Sequence, residues 1–294
     1  MWRSPGVAAW EAAGRYRQLA GHRVFVADLP ATSAEREPPL LVVHGFPTSS
    51  FDFHLVVDRL RADRRVVLVD LPGYGLSAKP DLPYRVDLLA DVVAAAAEAS
   101  GLNELSLLTH DLGDTVGGEL LARQQEGRWP VRVVRRVVTN GSIYIDLARL
   151  TDGQQLLLSL PDERLPDGAP VSEEAVAAAV AGTFADGSRV DQTELAAMAE
   201  LAAHHDGLHL LPRLIRYIEE RRRNERRFTG AVETHPSPLA VVWGDQDPVA
   251  VAAMASHLQA ARPDATLTWL DGVGHYPMLE DPDRFADAVI DGLG

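Results

Sequence analysis

Apolar positions along the chain fall into two rhythms. The first is a set of short, nearly unbroken runs: "HRVFVAD" (22–28), "PLLVVHG" (39–45), "RRVVLVDLPG" (64–73), "ELSLLTHD" (104–111), "VRRVVTNG" (134–141), "PLAVVWGD" (238–245) and "TLTWLDG" (266–272). Most end at Gly or Asp, and their Val/Leu content suits parallel strands covered on both faces. The second rhythm is helical. It is clearest in "YRVDLLADVVAAAAEAS" (84–100), with Gly101 as a stop signal, and recurs in "TVGGELLARQQEG" (115–127) and "DPDRFADAVIDGL" (281–293). Strands alternating with helices predict an α/β fold built on a doubly wound, mostly parallel sheet.

The alternation stops between Ser142 and Pro236. Four helical stretches follow one another there: "DLARLTDGQQLLLSL", "SEEAVAAAVAGTF", "DQTELAAMAELAAHH" and "LHLLPRLIRYIEERRRNERRF". Asp191 and Glu194 have the spacing of a capping box at the start of the third. An all-helical block set into a parallel sheet predicts a cap over the strand ends. The expected division is a core of 1–141 and 237–294 and a helical cap of 142–236.

Composition narrows the chemistry. The chain of 294 residues is 46% hydrophobic, enough for one large domain with an insertion. It has no cysteine, which excludes disulfides, thiol catalysis and zinc–thiolate sites and suits a reducing, cytoplasmic setting. A formal charge of −14 argues against a nucleic-acid surface. The N-terminal "MWRSPGVAAWEAAGRY" lacks the apolar run of a signal peptide or anchor, and no run of about 18 apolar residues occurs anywhere, so no membrane partner is expected.

One stretch raises a chemical question. "LSLLTHDLGDTVGGEL" (105–120) begins as a buried strand and ends as a helix, with Asp111 at the join. Thr109-His110-Asp111-Leu112-Gly113 has the form small-x-nucleophile-x-glycine, the pattern of a nucleophile elbow. An Asp capping the helix fits the same residues equally well. The remaining motifs decide between the two. "VVHGFPTSS" (42–50) follows a strand and places the Phe46 N–H opposite that of Leu112, as an oxyanion hole requires. "WGDQDPV" (243–249) puts Asp247 just past another strand, and "GVGHYPMLEDP" (272–282) puts His275 after the last one. The order nucleophile, acid, histidine is that of α/β-hydrolases.

Over nearly its whole length the chain resembles that superfamily. "HGFP", "DLPGYGLSAKP" and the Asp elbow are similar to the epoxide hydrolase and haloalkane dehalogenase branch. "HGFPTSS", "THDLGD", "LIRYIEERRR" and "GHYPMLEDP" look more closely like the mesoderm-specific-transcript-like hydrolases, a likeness that brings no substrate with it. A carboxylate attacking an ester would give an anhydride. One that displaces a leaving group from saturated carbon gives an ordinary ester, which water cleaves with His275 as base and Asp247 orienting it. The expected substrate is a small to medium apolar epoxide, with no cofactor and no metal.

The resemblance separates epoxides from halides. Dehalogenases of the branch carry a Trp after the nucleophile and often an Asn after the HG pair; here these positions are Leu112 and Phe46. The Arg that follows the nucleophile in fluoroacetate enzymes is missing as well. Epoxide hydrolases protonate the opening ring from cap tyrosines. Tyr217 lies where the family's second tyrosine does, with Tyr144 as candidate for the other, although Tyr217 is also placed to pack between Leu214 and Ile218. A dehalogenase with atypical halide donors and a non-catalytic ligand-binding protein of this fold are the alternatives. Of the remaining polar residues, His44 and His110 are expected to brace the loops, and His204 and His205 to close a cap helix. Asp114 is expected to cap the helix or tune the site. Arg221, Arg222, Arg223, Arg226 and Arg227 are expected to form a solvated face, with a partner or an anionic substrate group as the other reading.

Overall fold

In the computed structural model residues 2–186 and 191–294 are described. Eight strands form one sheet: β1 (Arg15–Leu19), β2 (His22–Leu29), β3 (Leu40–Val43), β4 (Val66–Val69), β5 (Glu104–His110), β6 (Arg132–Thr139), β7 (Leu239–Gly244) and β8 (Thr266–Leu270). Their order across the sheet is β1-β2-β4-β3-β5-β6-β7-β8. Only β2 runs against its neighbours β1 and β4; the other pairs are parallel. The central strands β3, β4 and β7 are buried at every position, which is why their sequences read as continuous apolar runs.

Helices α1 (Pro5–Ala13), α2 (Val57–Leu60), α3 (Val86–Ala99) and α4 (Leu112–Gln125) accompany the first strands. Between β6 and β7 lie α5 (Asp152–Ser159), α6 (Glu173–Ala181), α7 (Gln192–Ala203), α8 (Leu211–Leu214) and α9 (Tyr217–Thr234), with no strand among the described residues of that stretch. The chain ends with α10 (Ala252–Ala261), α11 (Pro277–Glu280) and α12 (Pro282–Leu293). No helix among the described residues is long and apolar enough to cross a membrane.

Three local features depart from the sequence reading. The edge strand β1, "RYRQL", was not foreseen: it is short, only partly buried and carries two arginines, features that blunt an edge and erase the apolar signal. Helix α4 begins at Leu112 rather than Thr115, directly after the corner. Asp191 does cap α7, accepting from the Thr193 N–H at 2.8 Å, but Glu194 makes no return bond. Its carboxylate meets His54 at 3.3 Å instead, a tertiary partner displacing a local one. The reciprocal capping box of the helical stretch is Thr151 with Gln154, at the start of α5.

Candidate active site

Five strand ends converge. Because β3, β5, β6, β7 and β8 are parallel, the segments that follow them emerge on one edge of the sheet, where ligands bind in open α/β sheets. These segments carry Phe46, Asp111, Asn140, Asp247 and His275.

Asp111 sits at φ 50°, ψ −112°, a strained backbone for a residue with a Cβ. Packing enforces the corner. A side chain at Gly113 would run into the Val43 carbonyl oxygen. Thr109, standing where the elbow pattern has its first glycine, fits because Gly117 leaves room: a Cβ there would lie 2.8 Å from the Thr109 methyl. Asp111 occupies the N-cap position of α4, yet its side chain makes no capping bond. Oδ2 instead accepts the Phe46 N–H at 2.9 Å. Leu112, fully buried, opens α4, so its amide belongs to the helical turn whose N–H groups lack intrahelical partners.

Asp247 and His275 are joined through Oδ2 and Nδ1 at 2.8 Å. The other Asp247 oxygen accepts from the Val249 and Ala250 amides at 2.7 and 2.9 Å. Burial opposes the Asp247 charge, but His275 and these donors hold its carboxyl below the usual range. Burial likewise opposes a charged His275. The Asp247 carboxylate, with help from Asp111, outweighs it and raises the imidazole to about 9. The raised imidazole thus favours its charged form beside Asp247 and Asp111.

Asn140 was missed in the sequence reading. It follows β6 at φ 45°, donates from Nδ2 to Asp247 Oδ2 at 2.8 Å, and accepts the Gly244 N–H at 3.0 Å. The available signal was its place in "TNGS", directly after a strand end.

Of the two tyrosines expected as donors, one is close to Asp111. Tyr217 is buried with its ring 5.9 Å from that of Phe46. Burial, and then the Asp111 charge, hold its hydroxyl well above the usual phenol range. Tyr144 is set aside as a donor: its hydroxyl bonds Glu233 at 2.7 Å, a group on α9. Two tyrosines not singled out earlier, Tyr74 and Tyr276, are buried and feel the Asp111 charge; the Tyr74 hydroxyl donates to the Leu214 carbonyl at 3.3 Å.

The remaining polar residues sort by contact. His44 donates from Nδ1 to the Gly45 carbonyl and accepts the Leu71 N–H at Nε2, at 2.8 and 3.0 Å. His110 donates to the His275 carbonyl at 2.8 Å. Both brace loops, as expected. His204 packs on Trp2 and His205, with ring centroids 4.5 and 3.8 Å apart. Asp114 caps nothing: neither oxygen meets a donor in good hydrogen-bond geometry, and burial, reinforced by the Asp111 charge and only partly offset by the Thr109 hydroxyl, pushes its carboxyl far up. Arg222, Arg223 and Arg226 are exposed, and Arg227 pairs with Glu119 and Glu126. Arg221 does not belong to that solvated face. It is 2% exposed, because it lies one helical turn after Tyr217 on the same inward side of α9.

Comparison with known proteins gives the same architecture. Over 294 residues the chain is 36% identical to the "Putative hydrolase LipZ" of Mycobacterium tuberculosis, covering 98% of both chains. It is 30% identical over 300 residues to the human "Mesoderm-specific transcript homolog protein", covering 98% of this chain and 88% of that one. Among solved structures, a meta-cleavage product hydrolase from Pseudomonas fluorescens superposes with a TM-score of 0.74 at 20% identity over 95% of this chain and 97% of the other. A haloalkane dehalogenase variant from Bradyrhizobium elkanii gives 0.74 at 19% identity, covering 95% of each. Residues 40–288 match the model of the alpha/beta hydrolase family, and the chain belongs to that family.

Proposed function

We propose that the protein is a cofactor-independent hydrolase in which Asp111 attacks a saturated carbon, and that its substrates are epoxides. The observation that carries this reading is the 2.9 Å bond from the Phe46 amide to Asp111 Oδ2. It leaves Oδ1 as the attacking atom. It also makes Oδ2 the carbonyl oxygen of the resulting ester, already bonded to an N–H that stabilises an oxyanion there. In this reading 142–236 is the cap that brings Tyr217 over the nucleophile, and 1–141 with 237–294 is the hydrolase core.

The proposed cycle balances. Oδ1 bonds to a ring carbon as the carbon–oxygen bond breaks, and the alkoxide takes a proton from Tyr217. The imidazolium replaces that proton and becomes neutral. Alkylation favours this, because it removes the Asp111 charge that helps keep His275 protonated. Neutral His275, oriented by Asp247, then takes a proton from water as the water attacks the ester carbonyl between the Phe46 and Leu112 amides. Collapse releases a diol carrying Oδ1 and restores the Asp111 carboxylate and the imidazolium.

The test is intact-protein mass spectrometry with styrene oxide, 1,2-dibromoethane and p-nitrophenyl acetate as the panel. Wild type should form diol from the epoxide. His275→Gln should gain the mass of the accepted substrate on Asp111 and hold it, and Asp111→Ala should gain none. Bromide release without diol would move the assignment to a dehalogenase. Turnover by wild type beside a His275→Gln variant that never gains mass would mean direct attack by water.

A further inference from the structure

We propose that Arg221 reads a carboxylate on the substrate, so that the electrophiles this site takes are short epoxy acids rather than wholly apolar epoxides. The epoxide half of this statement rests on the reading above; the anion site rests on Arg221 alone.

Arg221 is a buried cation with an open valence. Its Nε donates to Thr115 Oγ1 at 2.8 Å and its Nη1 to the Ser142 carbonyl at 2.6 Å, while Nη2 has no partner. Its neighbours on α9 differ: Arg227 is paired with two glutamates and Arg223 approaches Glu219 at 3.9 Å. Arg221 is in no ion pair among the described residues. Burying a cation without a counter-charge is costly, and an unsatisfied N–H adds to the cost. Asp114, a buried acid that feels the Arg221 charge, forms no ion pair with it among the described residues, and burial pushes the Asp114 carboxyl well up.

A second donor is open beside the first. Ser142 Oγ is buried without a partner. Ser142, Arg221 and Tyr217 line one cavity of about 30 Å³, with Ile145, Ile218 and Val249 among its apolar walls. That volume is roughly a water's share of liquid, close to the size of one carboxylate. A planar guanidinium with one nitrogen open, a hydroxyl and apolar walls form a site for a small anion.

Tyr217 is common to the cavity and the nucleophile: it lines the one and feels the charge of the other. Thr115, which holds Arg221, follows Asp111 by four residues on α4, about 6 Å along the helix. The Arg221 guanidinium also lies 5.1 Å from the centroid of the Tyr217 ring. A 2,3- or 3,4-epoxy acid, whose carboxylate lies next to its ring, is the electrophile that such a pair of sites would take.

Glycidate and its neutral isostere glycidamide test the proposal. Wild type should show kcat/KM about 10²-fold higher for glycidate, the difference lying mainly in KM. Arg221→Gln should lose that preference, so that glycidate and glycidamide react with about equal kcat/KM in the variant. Arg221→Lys, which keeps the charge without the fork, should recover part of it. Titration calorimetry with butyrate and butanamide needs no turnover: butyrate should bind wild type more tightly and lose that advantage in Arg221→Gln. Equal kcat/KM for the two epoxides in wild type, or equal losses for both in the variant, would reduce Arg221 to a structural strut. If Arg221→Gln fails to fold, the two wild-type comparisons decide. Arg221-dependent butyrate binding without any epoxide turnover would overturn the epoxide assignment and leave the anion site standing. Epoxide turnover with no preference for acids and no butyrate binding would do the reverse.

Discussion

Nδ1 of His275 and Oδ2 of Asp247 are 2.8 Å apart, both groups buried, and the imidazole is raised to about 9. A histidine so placed stabilises the fold as a cation. In the unfolded chain it titrates near the ordinary histidine value of 6.5. Its contribution is therefore complete below about pH 6.5 and is lost as pH rises through about 9. The gap in melting temperature between wild type and His275→Gln should be widest near pH 6 and shrink steadily to pH 9. A change on the order of 5 °C is expected for a coupling of a few kcal/mol. A gap that does not vary with pH would mean that no imidazolium is paired in the folded protein.

Asn140 bonds the same oxygen of Asp247 that His275 does, and its own φ of 45° is one that asparagine tolerates. Asn140→Gly keeps that backbone accessible while removing the amide. A hydrogen bond to a charged group is worth about 1.5–3 kcal/mol, so ester hydrolysis should slow by roughly 10–10² with little change in KM. Asp247 would then press more charge on His275, and the rising limb of kcat against pH should move upward. A slower enzyme with an unmoved limb would assign Asn140 to loop structure alone.

Thr109 and Gly117 should be energetically coupled. Gly117→Ala places a Cβ 2.8 Å from the Thr109 methyl and should destabilise by about 1–3 kcal/mol. Thr109→Ser removes the methyl but keeps the hydroxyl, and should rescue much of that loss. A double-mutant cycle by denaturant unfolding measures the coupling, expected at about 0.5–3 kcal/mol; strict additivity would show that the two residues do not share the space.

What the sequence made legible follows from these contacts. Strands such as β3, β4 and β7 stood out because full burial writes an apolar run, whereas the edge strand β1 is only partly buried and writes none. Asp111, Asp247 and His275 were picked out because each follows a strand inside a recognisable motif. Asn140 has no motif, and its role depends on a loop 107 residues away. The hydroxyl direction of Tyr144 was not readable, since Glu233 is set beside it only by packing. The burial of Arg221 was readable, yet the sequence reading grouped it with the solvated arginines. Tyr217 and Arg221 are an i, i+4 pair on a helix, which separates Arg221 from the exposed Arg222 and Arg223 despite their adjacency in "RRR".

Tyr217 tests the epoxide assignment most sharply. Opening an epoxide leaves an alkoxide that needs a proton as the ring carbon is attacked, whereas bromide leaves as a weak base and needs none. Burial and the Asp111 charge keep the Tyr217 hydroxyl protonated across the working pH range, so it is a donor at all times. Tyr217→Phe keeps the ring that packs on Phe46 and removes only the hydroxyl. In the His275→Gln background, where the ester is trapped, Tyr217→Phe should slow adduct formation from an epoxide by about 10²–10⁴. Adduct formation from an accepted alkyl bromide should change by less than about threefold, because that reaction takes nothing from the hydroxyl and a conservative apolar swap alters packing little. Equal slowing of both would make Tyr217 a packing residue whose loss disturbs the pocket. An unchanged epoxide rate would pass the donor's role to another group, and Tyr276, buried and within the field of Asp111, is then the next to substitute.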